Sequence, residues 1–221
     1  IRFNMEEAKV KYGRENDDIK VMAVTKTVPA EKVNFAVSRG FELLGENRVQ
    51  EFLQKKELYV KNAEINFIGH LQSNKIKYII DSVTIIQSVD SIALAGEISK
   101  QAEKHGKVMD ILCEVNIGGE EAKSGFAPED LAQAAEEAKK CAFVRVRGLM
   151  CIPPVAEGEH GSMPYFEKVH ALFVDINAKL YDNTLDILSM GMSGDYEDAV
   201  RAGATMVRVG TAIFGARNYT N

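Results

Sequence analysis

The chain has 221 residues, of which 46% are apolar and 27% charged, and a net charge of −5. This is the balance of a soluble globular protein. The acidic surplus argues against a nucleic-acid binder, which needs a concentrated basic surface, and no run approaches the ~20 apolar residues of a membrane span. Cys113, Cys141 and Cys151 are odd in number, lack CxxC spacing and lie in apolar segments. They read as reduced thiols, so the expected location is the cytoplasm. No signal peptide is visible, and the first residue is Ile1 rather than methionine, so the expectation is that some N-terminal residues are missing.

In chain order, a helical pattern over residues 3–12 comes first. Eight short apolar runs follow, at 21–24, 42–44, 66–68, 84–86, 111–115, 145–149, 187–190 and 207–209. Between them lie stripes with i, i+3, i+4 spacing: Val33/Ala36/Val37, Val49/Phe52/Leu53, Ile76/Ile79/Ile80, Ala95/Ile98/Ala102, Leu131/Ala135/Ala138, Phe166/Val169/Phe173/Ile176/Leu180 and Tyr196/Ala199/Val200. Each is the apolar face of a helix packed on a sheet. Pro29 and Pro128, each followed by acids, are placed in first helical turns, and Gly40, Gly106 and Gly203 after helix ends. Alternating strands and helices imply parallel pairing, and eight such units predict a closed (β/α)8 TIM-type barrel. An open doubly wound sheet is the alternative. With no repeat, low-complexity run or linker, residues 1–221 read as a single domain. The N-terminal helix is expected to stand in for a final one, and the lack of a long unpaired apolar surface favours a monomer.

In such barrels the chemistry sits at the C-terminal strand ends. That selects Lys26 at strand one, Glu46 and Asn47 after strand two, His70 after strand three, and Ser88 and Asp90 after strand four. Asn116 ends strand five and Met150 and Cys151 end strand six. Ser193 and Gly194 follow strand seven, and Gly210 and Thr211 end strand eight. Loops seven and eight, "SMGMSGDYEDA" and "VRVGTAIFGA", combine glycines, hydroxyls and helix starts, the usual materials of a phosphate cradle. The plainer reading makes Ser193 an N-cap and the glycines tight turns. Arg208 shares strand parity with Met206 and Gly210. It is either a structural ion pair inside the barrel or a permanently charged donor to a ligand. His70 is more simply a hydrogen-bonding residue than a base. No metal-ligand spacing and no Ser-His-Asp arrangement is legible. Glu120, Glu121 and Lys123 read as a solvated rim, and "CIPPVAEGEHG" as a lid over the same face.

A lysine at a barrel mouth serves either as a charge beside an anion or, partly desolvated, as a Schiff-base amine. With a phosphate across the mouth, the ligand is an aldehyde carrying a phosphate. Pyridoxal 5′-phosphate (PLP) fits, as would the substrates of a class I aldolase or a sugar-phosphate isomerase. Arg208 favours PLP, whose ring nitrogen gives it a partner.

The segments "AVTKT", "LLGENRVQE", "FIGHLQSNK", "VNIGGEEAKSG", "GLMCIPP", "LSMGMSGDYEDAV" and "GATMVRVGTAIFGARNY" run in order along nearly the whole chain. In them the chain resembles the pyridoxal phosphate homeostasis protein family, itself similar to the N-terminal barrel domain of alanine racemase. The resemblance implies Lys26 as the Schiff-base lysine, Ser193, Gly194, Gly210 and Thr211 around the phosphate, Arg208 at the pyridine nitrogen and Asn47 near the cofactor. Arg48 departs from the tyrosine that follows "GEN" in many members.

A guanidinium at the ring nitrogen leaves that nitrogen unprotonated and the ring a weak electron sink. Racemisation further needs two bases. In alanine racemase the second comes from a separate domain and a partner subunit, and nothing after strand eight is expected to encode that domain. The first expectation is therefore a carrier or regulator of PLP without robust catalysis, its recipients being PLP-requiring apoenzymes. A weak PLP-dependent amino-acid racemase using Lys26 and His70 is the alternative, and a Schiff-base aldolase the third.

Overall fold

A computed structural model describes residues 1–120, 123–155 and 157–216. Its eight parallel strands close into a barrel in the order β1 to β8. They are β1 (Lys20–Val24), β2 (Leu43–Glu46), β3 (Glu64–Phe67), β4 (Ile85–Val89), β5 (Met109–Val115), β6 (Val144–Cys151), β7 (Ile187–Ser189) and β8 (Met206–Val209). Closure is the pairing of β1 with β8, Met22 opposite Arg208. The expected barrel and all eight strands are found, with ends displaced by up to two residues, or three at β4. The helices are α1 (Arg2–Lys11), α2 (Ala30–Ser38), α3 (Val49–Lys55), α4 (Ile76–Ile79), α5 (Ile92–Lys104), α6 (Leu131–Lys139), α7 (Met163–Leu180), α8 (Tyr196–Arg201) and α9 (Thr211–Phe214).

The apolar stripes face the sheet: Val33, Phe52, Ile76, Ile98, Leu131, Phe166 and Ala199 are all buried, in the layer between helices and strands. Residues of opposite parity fill the barrel, where Met22, Leu112, Met150, Ile187 and Met206 pack together. A short α9 does follow β8. α1 lies beside α8, and just beyond α1 Arg14 donates to the carbonyls of Val200 (2.7 Å) and Ala204 (2.8 Å). Two boundary expectations change. Pro29 is the N-cap of α2, while Pro128 lies in a turn before α6 begins at Leu131. No described helix is long and apolar enough to cross a membrane.

Candidate functional site

β1 ends at Val24, so Lys26 is not the last strand residue but lies in the following turn. That turn is clamped from α3. Lys55 Nζ donates to the carbonyls of Thr25 (3.0 Å) and Val28 (3.3 Å) and pairs with Glu51 (2.7 Å) and Glu46 (3.2 Å). Glu51 also accepts the Thr27 N–H at 2.5 Å, holding Thr27 in left-handed backbone at φ 61°, where a β-branched residue is strained. Glu46, 0% exposed, accepts from the hydroxyls of Thr25 (2.7 Å) and Tyr59. Burial first, then the Glu46 charge, push the Tyr59 phenol up, so it stays a donor. Glu46 is thus a support for the turn rather than a group facing the ligand. The Lys26 ammonium itself has no hydrogen bond or ion pair among the described residues.

Lys26 opens into a cavity of about 480 Å³, within the ~300–1,000 Å³ of small-molecule sites. Its lining includes Lys26, Asn47, Ser193, Gly194, Arg208, Gly210 and Thr211, together with Gly69, His70, Glu114, Ser124, Ile152 and Met192. Every residue assigned to the cofactor from sequence therefore meets at one place. Asn47 is seated by the close passage of Gly69: a Cβ there would lie 2.1 Å from the Asn47 carbonyl oxygen. Its side-chain Oδ1 is buried without a hydrogen-bond partner among the described residues.

Ser193 is not the N-cap of α8; Asp195 is, and it accepts the Met192 N–H at 2.6 Å. Ser193 Oγ instead reaches loop eight, accepting from the N–H groups of Gly210 (3.2 Å) and Ala212 (3.3 Å). The two loops are tied through the hydroxyl placed where an anion would meet those same amides. Loop seven leaves its strand through Gly191 at φ 90°, where a Cβ would lie 2.4 Å from Ala199 Cβ.

Arg208 is 3% exposed and has no carboxylate partner within ion-pair distance among the described residues, contrary to the simple structural ion pair. Nη1 donates to Ser189 Oγ (2.8 Å) and Nη2 to the Cys151 carbonyl (2.7 Å). Behind it a polar chain crosses the barrel: Ser189 donates to Gln87 (2.7 Å), Gln87 to Asn66 (2.7 Å) and Asn66 to Thr84 (2.9 Å). Burial lowers the guanidinium's proton affinity, partly offset by Cys151, Glu114 and Asp195; an arginine stays charged regardless. Nε has no described protein partner, although the side chain lines the cavity.

The remaining candidates have smaller parts. The side chain of His70 is 63% exposed, with Nδ1 3.2 Å from Asp90 and 3.3 Å from Ser124 Oγ. Ser88 lies within β4 and donates to the Gly69 carbonyl at 2.5 Å. Asn116 bonds the carbonyls of Glu120 and Lys123 and so shapes loop five. Lys123 pairs with Glu120 and reaches the Pro153 carbonyl (3.4 Å), so the rim is tied to the loop after β6. Glu121, Ala156 of the expected lid and Arg217 to Tyr219 of the last motif lie outside the described residues. Arg48 is exposed at the start of α3. The cysteines are unpaired, and burial pushes the thiols of Cys113 and Cys151 up to about 12.

Glu114 was missed. An acid inside an apolar strand run, with side-chain parity shared with Leu112, was the available signal. A larger cavity of about 880 Å³ lies at the opposite end of the barrel. There Asp110 pairs with Arg145 (2.6 Å) and Arg147 (2.7 Å), and Arg147 with Asp186. Paired charges at strand starts point to stability, not chemistry.

Residues 1–218 match the family model described as the alanine racemase N-terminal domain. The chain is 45% identical to a pyridoxal phosphate homeostasis protein of Aquifex aeolicus over 94% of this chain and 91% of that one. The counterpart from Pseudomonas aeruginosa is 41% identical, over 99% and 94%. Among solved structures, PipY of Synechococcus elongatus with PLP bound superposes with a TM-score of 0.83 at 29% identity, covering 96% of this chain and all of that one. An alanine racemase of Clostridium difficile, at 19% identity and a TM-score of 0.73, shares the fold over 57% of its length. A barrel of this order and a match spanning nearly the whole chain lead to one conclusion: the chain belongs to the pyridoxal phosphate homeostasis protein family, within the wider family of the alanine racemase N-terminal domain.

Proposed function

We propose that this protein binds PLP in the cavity beside Lys26, holds it covalently as a Schiff base on that lysine, and serves intracellular PLP homeostasis. The observation that carries the reading is the meeting, in one cavity, of Lys26, the Asn47 oxygen and Arg208 Nε, none of them partnered among the described residues, with the tied glycine loops. Each supplies what a phosphorylated aromatic aldehyde needs. As a neutral amine, Lys26 Nζ forms the bond to the aldehyde carbon and its two protons leave with the oxygen as water. Gly194, Gly210 and Thr211, with Ser193 yielding its amide partners, surround the phosphate. Arg208 Nε donates toward the ring nitrogen and Asn47 lies beside the ring. The PLP-bound structure of PipY supports the ligand assignment.

Bound PLP supplies an aldehyde and an electron-withdrawing ring. Arg208 can donate there but gives up no proton, so it keeps the ring nitrogen unprotonated. That favours holding the cofactor over vigorous carbanion chemistry. We read residues 1–221 as one PLP-binding barrel domain, acting as a monomer in the cytoplasm and delivering PLP to apoenzymes that require it. The unpaired cysteines fit that compartment.

The test is reduction. Protein incubated with PLP should turn yellow, and borohydride should bleach it and leave a pyridoxyl group on Lys26. Lys26→Ala should lose that adduct while keeping weak phosphate-anchored binding. A wild-type chain that takes up no PLP refutes the reading. The weak racemase reading is separated by incubating loaded protein with L-alanine in deuterated water: catalytic exchange at Cα would favour it.

A further inference from the structure

Glu114, one residue before the end of β5, is the one carboxyl group lining this cavity among the described residues. In an eight-strand ring β5 lies four places from β1 in either direction. Glu114 therefore stands on the wall across from the Lys26 turn. Its side chain has no hydrogen bond or ion pair among the described residues, although nearby acids are engaged. Asp90 holds His70, Asp195 holds Ser162 and the Met192 amide, and Glu46 holds Thr25, Tyr59 and Lys55.

The groups facing it are Asp90 after β4, His70 after β3 and Arg208 on β8. Burial first and Asp90 second push its carboxyl up to about 7, with Arg208 and His70 pulling it down. Leaving a partly buried carboxylate unpaired is costly. Such a group inside a ligand cavity, divided between its two protonation states near neutral pH, is suited to moving protons.

We propose that Glu114 receives a second primary amine and takes its proton, so that the amine displaces Lys26 and carries the cofactor out of the site. This rests on the covalent reading above. The amine enters as an ammonium, attracted by the carboxylate. Glu114 accepts one proton, and the neutral nitrogen forms a bond to the carbon held by Lys26. The bond from that carbon to Nζ breaks, and the two protons left on the incoming nitrogen pass to Nζ, restoring Lys26 as an amine. No water is consumed and nothing is oxidised or reduced. The ligand class is a primary amine, whether a free alkylamine or the lysine side chain of a recipient protein.

The experiment loads wild type and Glu114→Gln with PLP, then adds one of three probes between pH 6 and 8.5. These are n-butylamine, a blocked lysine peptide, and methoxyamine, which is already neutral in this range. Release is followed by absorbance and by chain mass after borohydride. Glu114→Gln should release at least tenfold more slowly to n-butylamine at pH 7.5 and at nearly the wild-type rate to methoxyamine. Glu114→Asp should recover part of the loss. A defect with n-butylamine alone identifies free amines as the source, and one with the peptide as well admits protein lysines. In cofactor-free wild type, carbon NMR should show a carboxyl titrating near pH 7 that is absent from Glu114→Gln. Equal release to n-butylamine by both proteins, or no such titration, overturns the proposal. A wild-type chain that never gains the pyridoxyl mass overturns the covalent reading and the proposal with it.

Discussion

Lys55 Nζ lies 3.0 Å from the carbonyl oxygen of Thr25, one residue before the lysine that lines the cavity. Lys26 is thereby placed by a second lysine at the end of α3, which also meets Val28, Glu46 and Glu51. Because Glu46 is fully buried, removing its cationic partner strands a charge. Breaking such a pair costs about 3–5 kcal/mol. Lys55→Met should lower stability toward that range in denaturant titration and slow PLP attachment to Lys26 about tenfold. Lys55→Arg, which keeps the charge, should restore much of the stability; equal attachment rates in all three proteins would refute the clamp.

Arg208 joins three strands through Ser189, Cys151 and its own β8 position. Arg208→Gln removes the charge and at least one of these bonds at about 1–3 kcal/mol each. PLP affinity should fall about tenfold or more, with a shifted absorbance maximum of the loaded protein. Arg208→Lys should recover little, since an ammonium cannot reproduce the planar fork.

Ser193 and Gly191 separate the cradle's chemistry from its shape. Ser193→Ala removes the acceptor that ties Gly210 and Ala212 to loop seven together with a hydroxyl donor for the phosphate, and should weaken phosphate binding several-fold at nearly unchanged stability. Gly191→Ala meets Ala199 Cβ at 2.4 Å in left-handed backbone. It should cost about 2 kcal/mol or more, visible as a lower melting temperature.

Glu114 gives a pH dependence whose sign follows from its environment. Its carboxyl sits near 7 in the fold against an ordinary 4.5, so between those values the folded state binds more protons than the unfolded chain. Stability from this group is therefore lost as pH rises from about 4.5 to 7, and the penalty is constant above that. Cofactor-free Glu114→Gln should match wild type near pH 4.5 and exceed it above pH 7, by up to about 3 kcal/mol. Urea unfolding of both proteins across this range measures it, and parallel curves would count against the assignment.

The barrel was legible because its cause is local. Short apolar runs, buried on both faces, and 3.6-period stripes, buried on one, are each carried by a single segment, and eight alternations leave closure as the way to bury them. That Lys26, Asn47, Ser193, Gly194, Gly210 and Thr211 share one mouth was legible because each stands at or after a strand's C-terminal end, and Arg208 stood out as a cation within a strand; their roles toward a cofactor were implied by the family resemblance. Distances and partnerships were not legible. Lys55 reaches Thr25 across thirty residues of sequence, Ser193 serves loop eight instead of capping its own helix, and Arg208 rests on a relay through Gln87 and Asn66 from strands far apart in the chain. Nothing in its own strand marks Glu114 as isolated, which is visible only once its neighbours are seen paired elsewhere. Strand order and the residues at the mouth follow from patterns that each segment carries by itself. Which polar groups find partners, and which are left facing the ligand, is decided by closure of the ring, because hydrogen bonding and burial depend on neighbours that no single segment contains.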